Sequence, residues 1–464
     1  MPRNPRQPNK SGRPAAARMR PDTVSANRAK PSQRERLLQA MTQLASGEGY
    51  AELSIAALTA RAGVSRQTFY EQFAGKEDLF LAAYRRSARR VLGPLERAMD
   101  SREWWDVPRA AVREILAQIA ADPESAWLFF VEGLAGGGRI EAERRRVLAA
   151  AEATIEDFLD RAPAGGQTLD VPPRALLGAI RGGAIRAIAP WQPHIDALAD
   201  GDGAALGEGL VAWIRSYAIP AGQARWSTGS RALQDASRAR GSAGATPILA
   251  RHEQLPRGRH GLPRGVVQRN RRERIILATA EAIQAKGYAA TTVGDIALAA
   301  GLGKNVFYEH FTDKRHVFAV AQQHASQETF NACARAYFAQ PTWPERIYAG
   351  LRALSAIIAA EPALAHLRIV APYAAGPEAI ERAQQTTMLF AAFLEEGYAQ
   401  RPEAERLPRT CSATIVDAVF EIIRSQIAAG RAGELARRVP QLAYLAIAPF
   451  TGPQAAVQLI EGLR

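Results

Sequence analysis

In residues 34–49, "RERLLQAMTQLASGEG", the apolar positions Leu37, Leu38, Met41, Leu44 and Ala45 fall on one stripe at helical spacing, and Gly47 and Gly49 close it. A shorter apolar pattern follows in "IAALTARAG", with Ser54 placed to cap its start and Gly63 to end it in a tight turn. Ser65 then precedes a third helix in which Phe69 and Phe73, four residues apart, share one face and anchor it to the core. A longer helix followed by two short ones joined through a glycine turn predicts a helix-turn-helix.

The same pattern returns 238 positions later, where "GLGKNVFYEHF" at 301–311 repeats the frame of "GVSRQTFYEQF" at 63–73. Residues 34–80 and 272–318 align without a gap and share 15 identities in 47 positions, among them "RER" at both starts, Gly63/Gly301, Phe73/Phe311 and Lys76/Lys314. Weaker similarity continues beyond, with "AADPESAWLF" matching "AAEPALAHLR" and Trp105 falling opposite Trp343. The whole unit is duplicated. Helical periodicity persists throughout, so the expected fold is all-α, in two units. Each has a helix-turn-helix domain (33–85 and 271–322) and a helical effector and dimerisation domain (86–220 and 323–464).

Charge adds a second layer. The net +13 is concentrated in two segments: residues 1–36 carry +8 and residues 219–272 carry +9, leaving the rest of the chain near −4. Both are rich in Pro, Gly, Ser and Arg and lack apolar periodicity, which predicts a disordered basic arm at 1–32 and a flexible basic linker at 221–270. Each leads directly into one copy of the motif, where arginines can neutralise phosphates or enter a minor groove. A flexible coil of that linker's length spans roughly 35 to 42 Å, on the order of the ~34 Å between successive half-sites on DNA. No apolar run is long enough to cross a bilayer, and the proline-rich basic start lacks the apolar region of a secretory signal. A cytoplasmic, nucleoid-associated protein is expected.

"LSIAALTARAGVSRQTFYEQFAGKEDLF" and "TTVGDIALAAGLGKNVFYEHFTDKRHVF" resemble the DNA-binding domain of the tetracycline-repressor-like (TetR) family of transcriptional regulators. Shared features are the Ser/Thr-started helix, the glycine turn, the Tyr-x-x-Phe end of the recognition helix and the following lysine. The resemblance covers about 50 residues of each half. It implies a ligand-responsive repressor in which each unit corresponds to one subunit of a dimer, here fused in one chain.

At the start of the first recognition helix Arg66, Gln67 and Thr68 are suited to guanine, adenine and the thymine methyl; the second presents Lys304, Asn305 and Val306 instead. By resemblance Tyr70 and Tyr308 contact the DNA backbone, and Lys76 and Lys314 bind phosphate. Ser54, Ser65, Thr292 and His310 complete the expected DNA-facing set. Two recognition helices with one frame and different polar residues imply an intrachain pseudo-dimer that reads an asymmetric operator.

For an effector, Trp105, Trp127, Phe130, Trp343 and Phe390 are candidates to line pockets for a small apolar or amphipathic molecule. The glycine face of the helix near Gly178 and Gly182 is expected to receive Val416, Phe420, Ile423 and Ile427 of the second half. "GLAGGGR" lacks the Lys-Ser/Thr of a phosphate loop, the seven histidines have no metal-binding spacing, and no catalytic constellation is visible, so neither an enzyme nor a cofactor or metal is expected. Cys333 and Cys411 read as core thiols. The competing function is a basic architectural DNA protein, which would not need two helix-turn-helices with different polar faces.

Overall fold

The computed structural model describes residues 31–100, 103–189, 202–226 and 263–463. The basic arm up to residue 30 and the linker at 227–262 lie outside the described residues. In the first half, α1 (Gln33–Glu48), α2 (Ile55–Ala62) and α3 (Arg66–Gln72) form the helix-turn-helix head. The body comprises α4 (Lys76–Asp100), α5 (Val107–Ala121), α6 (Pro123–Trp127), α7 (Arg139–Asp160), α8 (Pro173–Ile188) and α9 (Asp202–Arg215). Because α4 runs through residue 85, head and body share a continuous helix. One feature departs from pure helix: Gln167–Leu169 (β1) pairs antiparallel with Ala218–Pro220 (β2), Thr168 opposite Ile219. Three-residue strands contain too little alternation to be read from sequence.

The second head is built from α10 (Arg264–Lys286), α11 (Val293–Ala299) and α12 (Lys304–His310). Its body follows as α13 (Lys314–Phe338), α14 (Trp343–Ala360), α15 (Pro362–Ile369), α16 (Pro377–Leu389), α17 (Thr410–Ala428), α18 (Val439–Thr451) and α19 (Pro453–Leu463). Helix α10 begins inside the segment assigned to the linker. Pro31 and Ser32 stop α1, with the Ser32 hydroxyl accepting the Glu35 N–H at 3.1 Å. Arg269 and Asn270 occupy the aligned positions and let α10 continue back to Pro263.

The two bodies pack on each other, and α8 against α17 is the most extensive helix pairing among the described elements. The glycine face is used, but not by the expected residues. A Cβ on Gly178 would sit 2.4 Å from the Glu421 Cβ, and one on Gly182 would sit 1.9 Å from the Asp417 Cγ. The acids of α17 therefore face the glycines. Val416 and Phe420 turn instead to an apolar cavity within their own half, beside Phe390 and Phe393.

Both of these buried acids of α17 are met by arginines. Asp417 pairs with Arg186 across the halves, while Glu421 accepts from Arg181 of the first half at 3.0 Å and from Arg424 of its own helix at 2.5 Å. Burial alone would raise the Glu421 carboxyl, but Arg424, Arg181 and Arg144 outweigh it and hold it well below the usual range. Tyr217 Oη donates to the Leu445 carbonyl at 2.6 Å and Tyr444 Oη to Asp170 at 2.9 Å, both across the same interface. One apolar core runs through the first head and both bodies, whereas the second head has a core of its own around Ile275, Phe307, Phe311 and Phe318.

Candidate nucleic-acid interface

Packing explains the repeated phenylalanines, glycine and arginines of the two copies. Phe69, Phe73, Phe307 and Phe311 are buried. The repeated "RER" serves the same frame: Arg34 and Arg272 lie over the Phe73 and Phe311 rings at 4.6 and 4.9 Å, while Arg36 and Arg274 donate to the carbonyls of Gly63 and Ala300 that end α2 and α11. Gly63 and Gly301 adopt φ of +62° and +63°, the left-handed turn that favours glycine.

Lys76 and Lys314, implied by resemblance to hold phosphate, are turned inward. The Lys76 ammonium donates to the carbonyls of Tyr50 (3.1 Å), Ala51 (3.3 Å) and Leu53 (2.9 Å) and lies 4.6 Å from the centre of the Tyr50 ring. Lys314 repeats the arrangement on Tyr288 and Ala289. Partial burial lowers both ammonium pKa values. These donors are occupied as an internal clamp on the loop before α2 and α11.

The residues that change at the start of the two recognition helices face outward. Arg66 and Gln67 are exposed at the start of α3, and Thr68 is half-buried; Lys304, Asn305 and Val306 repeat that placement on α12. Ser65 caps α3, accepting the Thr68 N–H at 3.0 Å, whereas Gly303 offers α12 no side-chain cap. Ser54 caps α2 in the same way, and Thr292 with Asp295 forms a capping box on α11. Tyr70 and Tyr308 stand 58% and 56% exposed, edge-on to Phe69 and Phe307, with their phenols free of the core. His310 departs from the expected set: it is half-buried at the end of α12, its Nε2 enclosed without a hydrogen-bond partner, and burial with Arg272 and Arg271 lowers its pKa despite Glu309.

A buried acid unmarked by any motif joins the first head to its body. Glu132 accepts the Tyr50 N–H at 2.8 Å and the Trp127 Nε1–H at 3.3 Å. Burial pushes its carboxyl up to about 7 against the pull of those two bonds. An aromatic series runs beside it, Tyr50 to Phe80 at 4.5 Å, Phe80 to Tyr84 at 6.3 Å and Tyr84 to Phe129 at 5.6 Å. The aligned positions in the second half are Ala371 for Glu132 and Gln322 for Tyr84, so neither link is repeated.

The expected pocket residues divide. Phe130 lines a cavity of about 20 Å³ in the first half and Phe390 one of about 60 Å³ in the second. Trp105 instead stacks on Trp104, Trp127 is committed to Glu132, and Trp343 binds the Phe393 carbonyl at 2.9 Å. Their bulk fills the core.

Two helix-turn-helix heads with exposed, polar recognition helices, carried on helical bodies that pack together, define a DNA-binding transcription regulator. The family model for "Bacterial regulatory proteins, tetR family" matches residues 37–83 and 275–321. The chain belongs to the TetR family and carries two of its units in tandem. Among solved structures, similarity extends to the fatty acid degradation regulator FadR from Bacillus halodurans (20% identity, 38% of this chain and 94% of that one, TM-score 0.33). It extends also to a putative tetR family transcription regulator from Shewanella sp. PV-4 (16%, 40% and 99%, TM-score 0.34) and a TetR-like transcriptional regulator from Rhodococcus sp. RHA1 (24%, 39% and 93%, TM-score 0.29). No curated protein matches the chain.

Proposed function

We propose that this regulator is a cytoplasmic, ligand-responsive repressor that acts as an intrachain pseudo-dimer on an asymmetric operator. The observation that supports this reading is the contrast between the two recognition helices. Their buried frames coincide, while the exposed residues change from Ser-Arg-Gln-Thr at 65–68 to Gly-Lys-Asn-Val at 303–306. In this reading Arg66 pairs with guanine through two parallel hydrogen bonds, and Lys304 offers only a point charge. Gln67 reaches one methylene further than Asn305, and Thr68 adds a hydroxyl that Val306 lacks. Tyr70 and Tyr308 hold the backbone on either half-site. The cross-half contacts of α8 and α17 are the basis for pairing within one chain.

Selection of binding sites from random DNA tests the proposal. The wild type should return two unlike half-sites, and the quadruple variant Ser65→Gly, Arg66→Lys, Gln67→Asn, Thr68→Val should move the consensus toward a palindrome of the second. A wild-type consensus that is already palindromic and does not move would refute it. Native mass on the minimal site should show a single 50.2 kDa chain.

A further inference from the structure

A larger and chemically different cavity, about 270 Å³, lies where the two bodies meet. The first half contributes Arg144, Arg145 and Arg174 to its wall, and the second contributes Arg431 and Arg438. Only Glu141 and Glu152 oppose these five guanidinium groups in the lining. The nearest buried acid behind the wall, Glu421, is already shared by Arg144 (3.5 Å), Arg174 (4.0 Å), Arg181 (3.0 Å) and Arg424 (2.5 Å). On the second-half side, Arg431 and Arg438 donate to the neutral amides of Gln426 and Gln441, each at 3.1 Å.

The wall therefore holds more positive charge than its own acids balance, in a partly desolvated place where imbalance is costly. Burial and Arg424 bring Arg144 down to about 10 despite Glu421 and Glu141; burial and Arg431 lower Arg438 despite Glu434. An anion entering the cavity relieves that repulsion from both sides at once. The apolar cavities at Phe130 and Phe390 have room for only one or a few waters, so they are less suited to an effector than this one.

We propose that this cavity binds a small molecule bearing at least two oxyanion groups, carboxylate or phosphate, gripped by arginine forks from both halves. Such a ligand ties α7 and α8 of the first body to α17 and the start of α18 of the second. It thereby sets how the bodies sit on each other. Its effect on DNA rests on the ligand-responsive reading above; binding itself does not.

Calorimetric titration of the full chain with citrate and, separately, with inorganic pyrophosphate tests the site, with sodium chloride matching ionic strength. One probe or both should bind saturably at one site per chain, and the stronger of the two identifies carboxylate or phosphate as the preferred group. Arg438→Gln should weaken that binding about tenfold or more, the loss of one charged hydrogen-bond donor. Arg145→Gln, at the exposed rim, should weaken it in the same direction and covers the case in which Arg438→Gln fails to fold. Arg335→Gln, exposed on α13 and outside the lining, should leave it unchanged. Absence of saturable binding by both probes, or equal affinity in the wild type and the rim variant, overturns the proposal. Anion binding that leaves operator affinity unaltered would uphold the site and remove the ligand-responsive reading.

Discussion

Gly182→Ala is the smallest change that should part the two halves. The added methyl would lie 1.9 Å from the Asp417 Cγ and 2.2 and 2.3 Å from its two oxygens, whereas ordinary van der Waals contact begins near 3.4 Å. The obstacle is a short side chain fixed to α17 and engaged with Arg186, not the free end of a flexible one. Either α17 backs away from α8 by more than an ångström or the carboxylate leaves its guanidinium. Overpacking of a close interface costs about 1–3 kcal/mol, and separating a buried ion pair costs about 3–5 kcal/mol. A loss of about 2–4 kcal/mol is therefore expected if the site relaxes by sharing the two responses. Urea unfolding followed by circular dichroism measures it as a fall in midpoint. Gly433→Ala, with nothing within 4 Å of the new methyl, should stay within about 0.5 kcal/mol of wild type. A loss below about 0.5 kcal/mol for Gly182→Ala would mean that α8 and α17 do not pack as described.

Three further outcomes follow from the heads and their attachment. Glu132→Gln keeps an acceptor for the Tyr50 N–H and removes a carboxyl raised from 4.5 to about 7, a difference of ~3 kcal/mol between its two protonation states. The wild-type carboxyl's contribution is present below about pH 4.5 and lost as pH rises through about 7, so the variant's relative stability should climb across that window; a flat difference in denaturation midpoints refutes it. Lys76→Met removes the ammonium donor from the Tyr50, Ala51 and Leu53 carbonyls and should cost about 1–3 kcal/mol while leaving the salt dependence of DNA binding unchanged; a shallower salt slope would support the phosphate role. Ser65→Ala should destabilise by about 1 kcal/mol through the lost cap, while Gly303→Ser should gain a few tenths, both read by thermal unfolding.

The heads were legible because their signals are local. Apolar spacing, capping serines and a glycine turn act within a few residues, and the internal repeat separated what the frame requires from what is free to change. Lys76 shows what resemblance leaves out: a lysine at a helix start suits phosphate, but three carbonyls come within its reach only after the chain folds. The interface was half legible. Gly178 and Gly182 marked a close approach, yet assigning bulky apolar residues to it overlooked the charges in "RGGAIRAI" and "IVDAVFEIIR". Charged residues four or five apart inside otherwise apolar helices, Arg181 with Arg186 and Asp417 with Glu421, are the signal that would have paired them. Glu132 and the arginine-walled cavity carry no such mark, because Glu132 meets the head through Tyr50, 82 residues away, and the cavity's arginines come from segments more than 250 residues apart.

The core that runs unbroken from one body into the other also bears, if one chain is the DNA-binding unit as proposed, on how the regulator responds to its own abundance. Subunits that meet by diffusion assemble in proportion to the square of their concentration and fall apart on dilution. Two bodies made in one chain, with Arg181 and Arg186 already seated on Glu421 and Asp417, have no such association step. Under the proposed one-chain reading, site occupancy at low copy number rises in direct proportion to the number of chains, so that a cell with a handful of molecules keeps a graded response. The same reading suppresses exchange of subunits with relatives of similar fold, since each body's partner is then the one translated with it.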